Sequence, residues 1–147
     1  MDLDTLQPTA VTMEAPVADT RMSPFLMFEG RAEEAMNLYV STIPNSMILD
    51  IKRYGADGPG PEGSVIRAHF SLSGQPIACS DSFIHHAFTF TPSISLFITC
   101  ASEAEFDRIA DALAAGEYLM PKDNYGFSRN FAWFNDRFGV SWQLNLE

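Results

Sequence analysis

The sequence is short of basic charge, of cysteine and of long apolar runs. Nine Lys and Arg stand against 19 Asp and Glu, a formal net charge of −10. Such a surface repels phosphate backbones and anionic lipid, and no Lys/Arg cluster offsets it. Nucleic acid and membrane surfaces are therefore not expected as partners. The two cysteines, Cys79 and Cys100, have neither metal-site spacing nor the density of a disulfide framework, so free thiols in a reducing compartment are expected. No stretch nears the ~20 apolar residues of a membrane span. Met1 to Thr20 lacks the basic start and apolar centre of a secretion signal, which makes a cytoplasmic location the expectation. Also missing are a P-loop, a Ser/His/Asp order, a paired-carboxylate motif and a G-x-G-x-x-G turn. The run Gly58-Pro59-Gly60-Pro61-Glu62-Gly63 is a Pro-broken loop with no helix behind it.

What is present suits one domain of ordinary size. Twelve phenylalanines point to a packed interior or a lined pocket. Residues 1–22 form an acidic, Pro-interrupted segment with Asp2, Asp4, Glu14 and Asp19. Leu3, Leu6, Val11, Met13 and Val17 make it too apolar for a purely solvated tail. Two readings stand side by side: a plain extension, or an arm packed on a neighbouring subunit.

From residue 23 the periodicities follow one plan twice. Pro24–Phe28 reads as a short strand. A helix over about 31–40 carries Ala32, Ala35, Met36 and Tyr39 on one stripe, with Glu33 and Glu34 in its first turn. Strands follow over 47–54, 65–72 and 76–80, the middle one alternating Ile66, Ala68, Phe70 and Leu72 against Arg67, His69 and Ser71. Residues 81–92 connect. Ile94–Cys100 reads as the next strand. Ser102 and Glu105 form a capping box before a helix with Phe106, Ile109, Ala110 and Leu113 on one stripe, and Gly116 is expected as its left-handed C-cap. Strands over about 117–120, 127–134 and 139–146 complete the plan. The result is an α+β chain of paired βαβββ modules, about 23–82 and 93–147, forming a curved mixed sheet. One helix covers only one face of four strands, so the bare faces are expected to surround a concave pocket.

The segments Ser-Pro-Phe-Leu-Met-Phe-Glu-Gly (23–30), Ala-Glu-Glu-Ala-Met-Asn-Leu-Tyr (32–39), Phe-Ser-Leu-Ser-Gly-Gln-Pro (70–76) and Asp-Arg-Phe-Gly-Val-Ser-Trp-Gln-Leu (136–144) carry a resemblance. Residues 23–146 resemble the PhnB-like branch of the vicinal oxygen chelate superfamily, with its glyoxalase/bleomycin resistance/dioxygenase fold, also catalogued under a 3-demethylubiquinone methyltransferase label. The resemblance implies a homodimer whose pocket is completed across the partner. It also implies, in many members, a metal held by the first and last strands of each module. At the corresponding positions this chain has Gln143 in place of Glu, Ser93 or Ser95 in place of His, and Pro24 or Phe25 in place of His or Gln. Asp81 is the one carboxylate near the fourth. Asp81 and Gln143 alone are too few donors for a divalent cation. No cofactor is therefore expected. The methyltransferase label is a family name rather than an activity, because the Gly-rich turn such chemistry requires is missing.

Strand parity assigns the pocket lining. Arg67, His69, Ser93, Ser95, Ser141 and Gln143 face away from the helices and are the candidate ligand-binding residues, with Trp133 as a stacking surface. Phe97 shares the face of Ser93 and Ser95. His69 is the candidate for acid–base work because histidine, as a residue type, is suited to proton transfer near neutral pH. Arg67 could meet an anionic ligand group or pair with an acid of the chain. His85 and His86 belong to a solvated loop. Three functions are compatible: a metal-free protein binding a small polar or aromatic molecule; a metal-dependent or acid–base enzyme of the same superfamily (lyase, isomerase or dioxygenase) using His69, Asp81 or Gln143, with a divalent metal at Asp81 and Gln143 in the metal-dependent case; and a non-catalytic dimeric interaction protein.

Overall fold

The computed structural model describes residues 19–147. Most of the arm considered for residues 1–22 therefore lies outside the described residues. The first module runs β1 (Phe25–Phe28), α1 (Ala32–Thr42), β2 (Met47–Arg53), β3 (Val65–Leu72) and β4 (Gln75–Asp81). The second runs β5 (Leu96–Thr99), α2 (Glu103–Leu113), β6 (Tyr118–Asp123), β7 (Asn130–Asn135) and β8 (Ser141–Leu146). Each module forms its own mixed four-stranded sheet, in the orders β1-β4-β3-β2 and β5-β8-β7-β6. The first strand of each pairs parallel with the last, and the remaining pairings are antiparallel. The curved sheet thus comes as two leaves, and among the described residues no strand pairing joins them.

The two helices start for different reasons. Ser102 accepts a hydrogen bond from the Glu105 N–H at 3.2 Å, and the Glu105 carboxylate reaches back to the Ala101 N–H at 2.8 Å. This is the local device read from the sequence. At α1 the N-cap is Arg31, whose side chain caps nothing. Asp81, at the end of β4, does it instead: one oxygen accepts from Gly30 N–H and Ala32 N–H, both at 2.9 Å, and the other from Val65 N–H at 3.1 Å. Gly116 does adopt a left-handed φ of 112°. It sits past the extended Ala114 that ends α2, in the turn to β6, rather than at the cap itself. Strand β6 runs through Pro121, beyond the end expected for it. As an edge strand it tolerates the missing N–H.

The helix-facing sides of both leaves meet in a single core. Tyr39 of α1 lies between them, its ring 6.3 Å from Phe70 of β3 and 5.0 Å from Trp142 of β8. The phenolic O–H donates to Asp136, and Arg108 of α2 donates to the Thr42 carbonyl at the end of α1. Met36, Phe106, Ile109, Phe134 and Leu144 are fully buried in the same cluster. The leaves therefore stand back to back with the helical layer between them. Their bare sides point outward, so one chain does not wrap them around a common hollow. The physical reason is the amphipathic pattern: the apolar strand faces and both helix stripes bury more surface against one another than either leaf could alone.

Asp136 fastens this core at the β7–β8 turn. One oxygen accepts from Phe138 N–H at 2.8 Å and Val140 N–H at 3.0 Å. The other accepts from the Trp142 indole N–H at 2.8 Å as well as from Tyr39. Burial, reinforced by the Asp136 charge, pushes the Tyr39 phenol far above its usual range, so it stays a donor.

Candidate functional site

The outward side of the second leaf gathers most of the predicted residues. Register aligns Phe97, Gln143, Trp133 and Met120 across four strands. The Trp133 indole N–H donates to Ser141 Oγ at 2.8 Å, Ser141 Oγ lies 2.7 Å from Ser95 Oγ, and Gln143 Nε2 donates weakly to Ser95 Oγ at 3.4 Å. Three polar candidates thus form one chain, ended by the indole of the fourth, Trp133. Among the described residues the Gln143 carbonyl oxygen has no donor, so it is open to a ligand N–H or O–H. Phe97 is 56% exposed and flanks the cluster. A groove of about 670 Å3 along the free edge of β5 includes Ser95, Phe97 and Pro24.

Ser93 is not part of the cluster: strand β5 begins only at Leu96, and the Ser93 hydroxyl is 2.7 Å from Thr91 Oγ1 in the preceding turn. Parity was extended beyond the strand it applies to. Sequence reasoning also missed an aromatic group at the end of this leaf. Tyr125 and Phe127 stack with centroids 6.1 Å apart, and Phe127 meets Phe131 at 5.0 Å. Phe131 is two residues from Trp133 and shares its face.

Arg67 and His69 lie on the outward side of the first leaf. Phe25, Ala78, His69 and Asp50 form one cross-strand row. His69 Nδ1 lies 2.9 Å from Asp50 Oδ1, which leaves Nε2 free. Arg67 is directly opposite Lys52. No carboxylate among the described residues reaches Arg67, so the internal ion pair considered for it is not formed among them.

A hollow of about 650 Å3 lies between β1, the connector and the β7–β8 turn, with Met27, Arg31, His86, Phe88, Arg137 and Phe138 among its lining. Both guanidinium groups sit over the Phe138 ring, at 4.5 and 4.9 Å, and both contact Glu34. The His85 ring bonds Glu29 at 3.0 Å and, with the His86 N–H, holds the Glu29 carboxylate below its usual range.

The donors do not fit a divalent metal. Asp81, the one carboxylate considered, is buried with its two oxygens engaged by three backbone N–H groups. It is also on the helix side of β4, whereas Gln143 is on the outward side of β8. Beside Gln143 stand a serine hydroxyl and a phenylalanine, neither an anionic ligand. Among the described residues no three His, Cys, Asp or Glu side chains come together. The cysteines are no better placed: burial pushes Cys79 up to about 12 and Cys100 to about 11, so neither offers a thiolate at neutral pH.

Two back-to-back βαβββ modules with outward sheet faces define a protein of the glyoxalase/bleomycin-resistance fold. That fold is shared with a glyoxylase/bleomycin resistance protein/dioxygenase domain from Frankia sp., 15% identical over 87% of this chain and 91% of that one, TM-score 0.59. It is also shared with the fosfomycin resistance protein FosX from Listeria monocytogenes, 13% identical over 88% and 93%, TM-score 0.55. Within the fold, residues 20–145 match the model of the 3-demethylubiquinone-9 3-methyltransferase family, and the chain belongs to that family. A PhnB protein from Bacillus cereus is 52% identical over 87% of this chain and all of its own length, with a TM-score of 0.83. No curated protein matches the chain. No helix among the described residues is long and apolar enough to cross a membrane.

Proposed function

We propose that this PhnB-like protein binds a small polar or aromatic molecule on its outward sheet faces, as a homodimer and without a catalytic metal. The carrying observation is the Ser95–Ser141–Trp133–Gln143 cluster: a half-buried indole and amide on the outward face, held in place by the buried Ser141 hydroxyl. A few convergent polar groups among aromatic walls are what a small-molecule site requires. The dimer is supported by what is left exposed. Phe25, Met47 and Phe97 are all more than half exposed on outward faces, and apolar surface of this kind is normally covered by a partner or ligand. A second copy laid on these faces would turn two open half-sites into enclosed ones. The methyl transfer in the family's description is not carried over, since the chain has no Gly-rich cofactor turn.

The test is a panel of aromatic and polar compounds read by thermal shift and by tryptophan emission, with chain mass measured in solution. A binder should quench emission in the native protein. Trp133→Phe should abolish the quench and Gln143→Ala should weaken binding, while the mass should be twice 16.3 kDa. No stabilising compound, or binding indifferent to both substitutions, would refute the site. One metal per subunit in untagged protein would refute its metal-free character.

A second reading, an acid–base enzyme, is favoured by one observation. Asp50 holds His69 Nδ1, which orients the ring and frees Nε2 toward the outward face. Turnover of a bound compound that follows a single ionisation and is lost in His69→Gln would establish it.

A further inference from the structure

We infer that the first leaf holds the oxyanion of its ligand between Lys52 and Arg67. This deepens the ligand-binding reading above and rests on it. Lys52 and Arg67 are directly opposite on β2 and β3, on the outward side, and both are exposed. Like charges at directly opposed positions of an antiparallel pair repel and destabilise the sheet. A chain with 19 acidic residues has ample means to neutralise them, and elsewhere it does. Arg31 and Arg137 share Glu34, Arg53 takes Glu33, and Lys122 takes Glu103 and Asp107.

Arg53 makes the contrast sharpest. It follows Lys52 in the chain, so strand alternation puts it on the helix side, where both its terminal nitrogens meet the Glu33 carboxylate. Among the described residues, Lys52 and Arg67 have no carboxylate within 4.0 Å. Asp50, two residues before Lys52 and on the same face, is engaged by His69. The pair is therefore a cationic seat without an internal anion. A carboxylate or phosphate between the two groups would convert repulsion into two charge-assisted contacts, with the guanidinium offering a bidentate fork.

The surroundings specify the rest of the ligand. Met27 and Phe25 of β1 share this face with Ser80 and Ala78, two strand spacings from Arg67, or roughly 10 Å. The matching class is a small organic oxyanion whose apolar part extends along the sheet toward β1.

Thermal unfolding with inorganic phosphate, phenyl phosphate and sodium chloride at equal ionic strength tests this. Phosphate at 10 mM should raise the melting temperature by about 3 °C over chloride, the shift expected for millimolar affinity in a chain of this size. Phenyl phosphate should raise it further. Lys52→Ala and Arg67→Ala should each melt higher than the native protein in low salt and lose the phosphate response. Trp133→Phe, on the other leaf, should keep it, so failure here and failure of the aromatic site are read separately. Equal shifts from phosphate and chloride, or an undiminished response in both alanine variants, would overturn the seat. Equal shifts from the two phosphates would overturn its apolar extension.

Discussion

Replacing Asp136 by asparagine should destabilise the protein by about 3–4 kcal/mol, although the side chains are nearly identical in shape. Both carboxylate oxygens accept two donors each: backbone N–H groups of Phe138 and Val140 on one, the Trp142 indole and Tyr39 phenol on the other. An asparagine must present its NH2 group to one of these pairs. If it faces the indole side, the Tyr39 hydroxyl can rotate away but the Trp142 N–H cannot. If it faces the turn, two backbone N–H groups are stranded. Each charge-assisted bond contributes about 1.5–3 kcal/mol, and each stranded buried donor costs about 1–3 kcal/mol. Two losses in either orientation give the stated range, a large share of the ~5–15 kcal/mol that holds a typical domain. Tyr39→Phe removes one donor and leaves no donor stranded, so it should cost only about 1.5 kcal/mol. Urea unfolding of the three proteins, with unchanged m-values, measures both numbers. A loss below about 1 kcal/mol for Asp136→Asn, or one smaller than that for Tyr39→Phe, would refute the assignment of Asp136 as the fastening point of the core.

Two further outcomes follow from buried groups. Asp81→Asn should cost about 2–3 kcal/mol by the same logic, since three N–H groups share its oxygens and one must meet an amide nitrogen; hydrogen exchange should report the loss first at Ala32 and Val65. The raised thiol pKa values mean that both cysteines stay protonated in the folded chain while the unfolded chain ionises near 9. Their contribution to stability is therefore complete below pH 9 and declines as pH rises toward about 12 for Cys79 and about 11 for Cys100. Native protein at pH 8 should resist a thiol reagent that labels both cysteines in denaturant; rapid native labelling of Cys79 would contradict its burial.

How much could be read without coordinates depended on the distance between cause and effect along the chain. The stripes of α1 and α2 and the Ser102–Glu105 cap are written within a few residues, and all are found as read. The cap of α1 comes from Asp81, on the far strand of its module, and nothing in its local sequence sets it apart from a solvated acid. Asp136 falls between the strands read over 127–134 and 139–146, but its bond to Tyr39 spans both modules. For the site, parity was enough to put Ser141 and Gln143 on one face, while Ser95 joins them from just before β5 through its contact with Ser141. Register was needed to bring Trp133 beside Ser141, and to set Lys52 opposite Arg67, because register depends on bulges that parity does not see. The expected common hollow failed for a related reason: alternation says which side of a strand is apolar, but not which other apolar surface it will meet.

The back-to-back arrangement separates two kinds of information that share the same strands. On β8, Trp142, Leu144 and Leu146 belong to the core, while Gln143 between them belongs to the outward face. On β3, Phe70 and Ala68 are core and His69 is not. Folding and the proposed ligand recognition are thus spelled in alternate letters. Gln143 and His69 are only partly buried, so substitutions at such letters spare the interior packing, and the proposed bound chemistry can be exchanged without the scaffold first having to be made more stable.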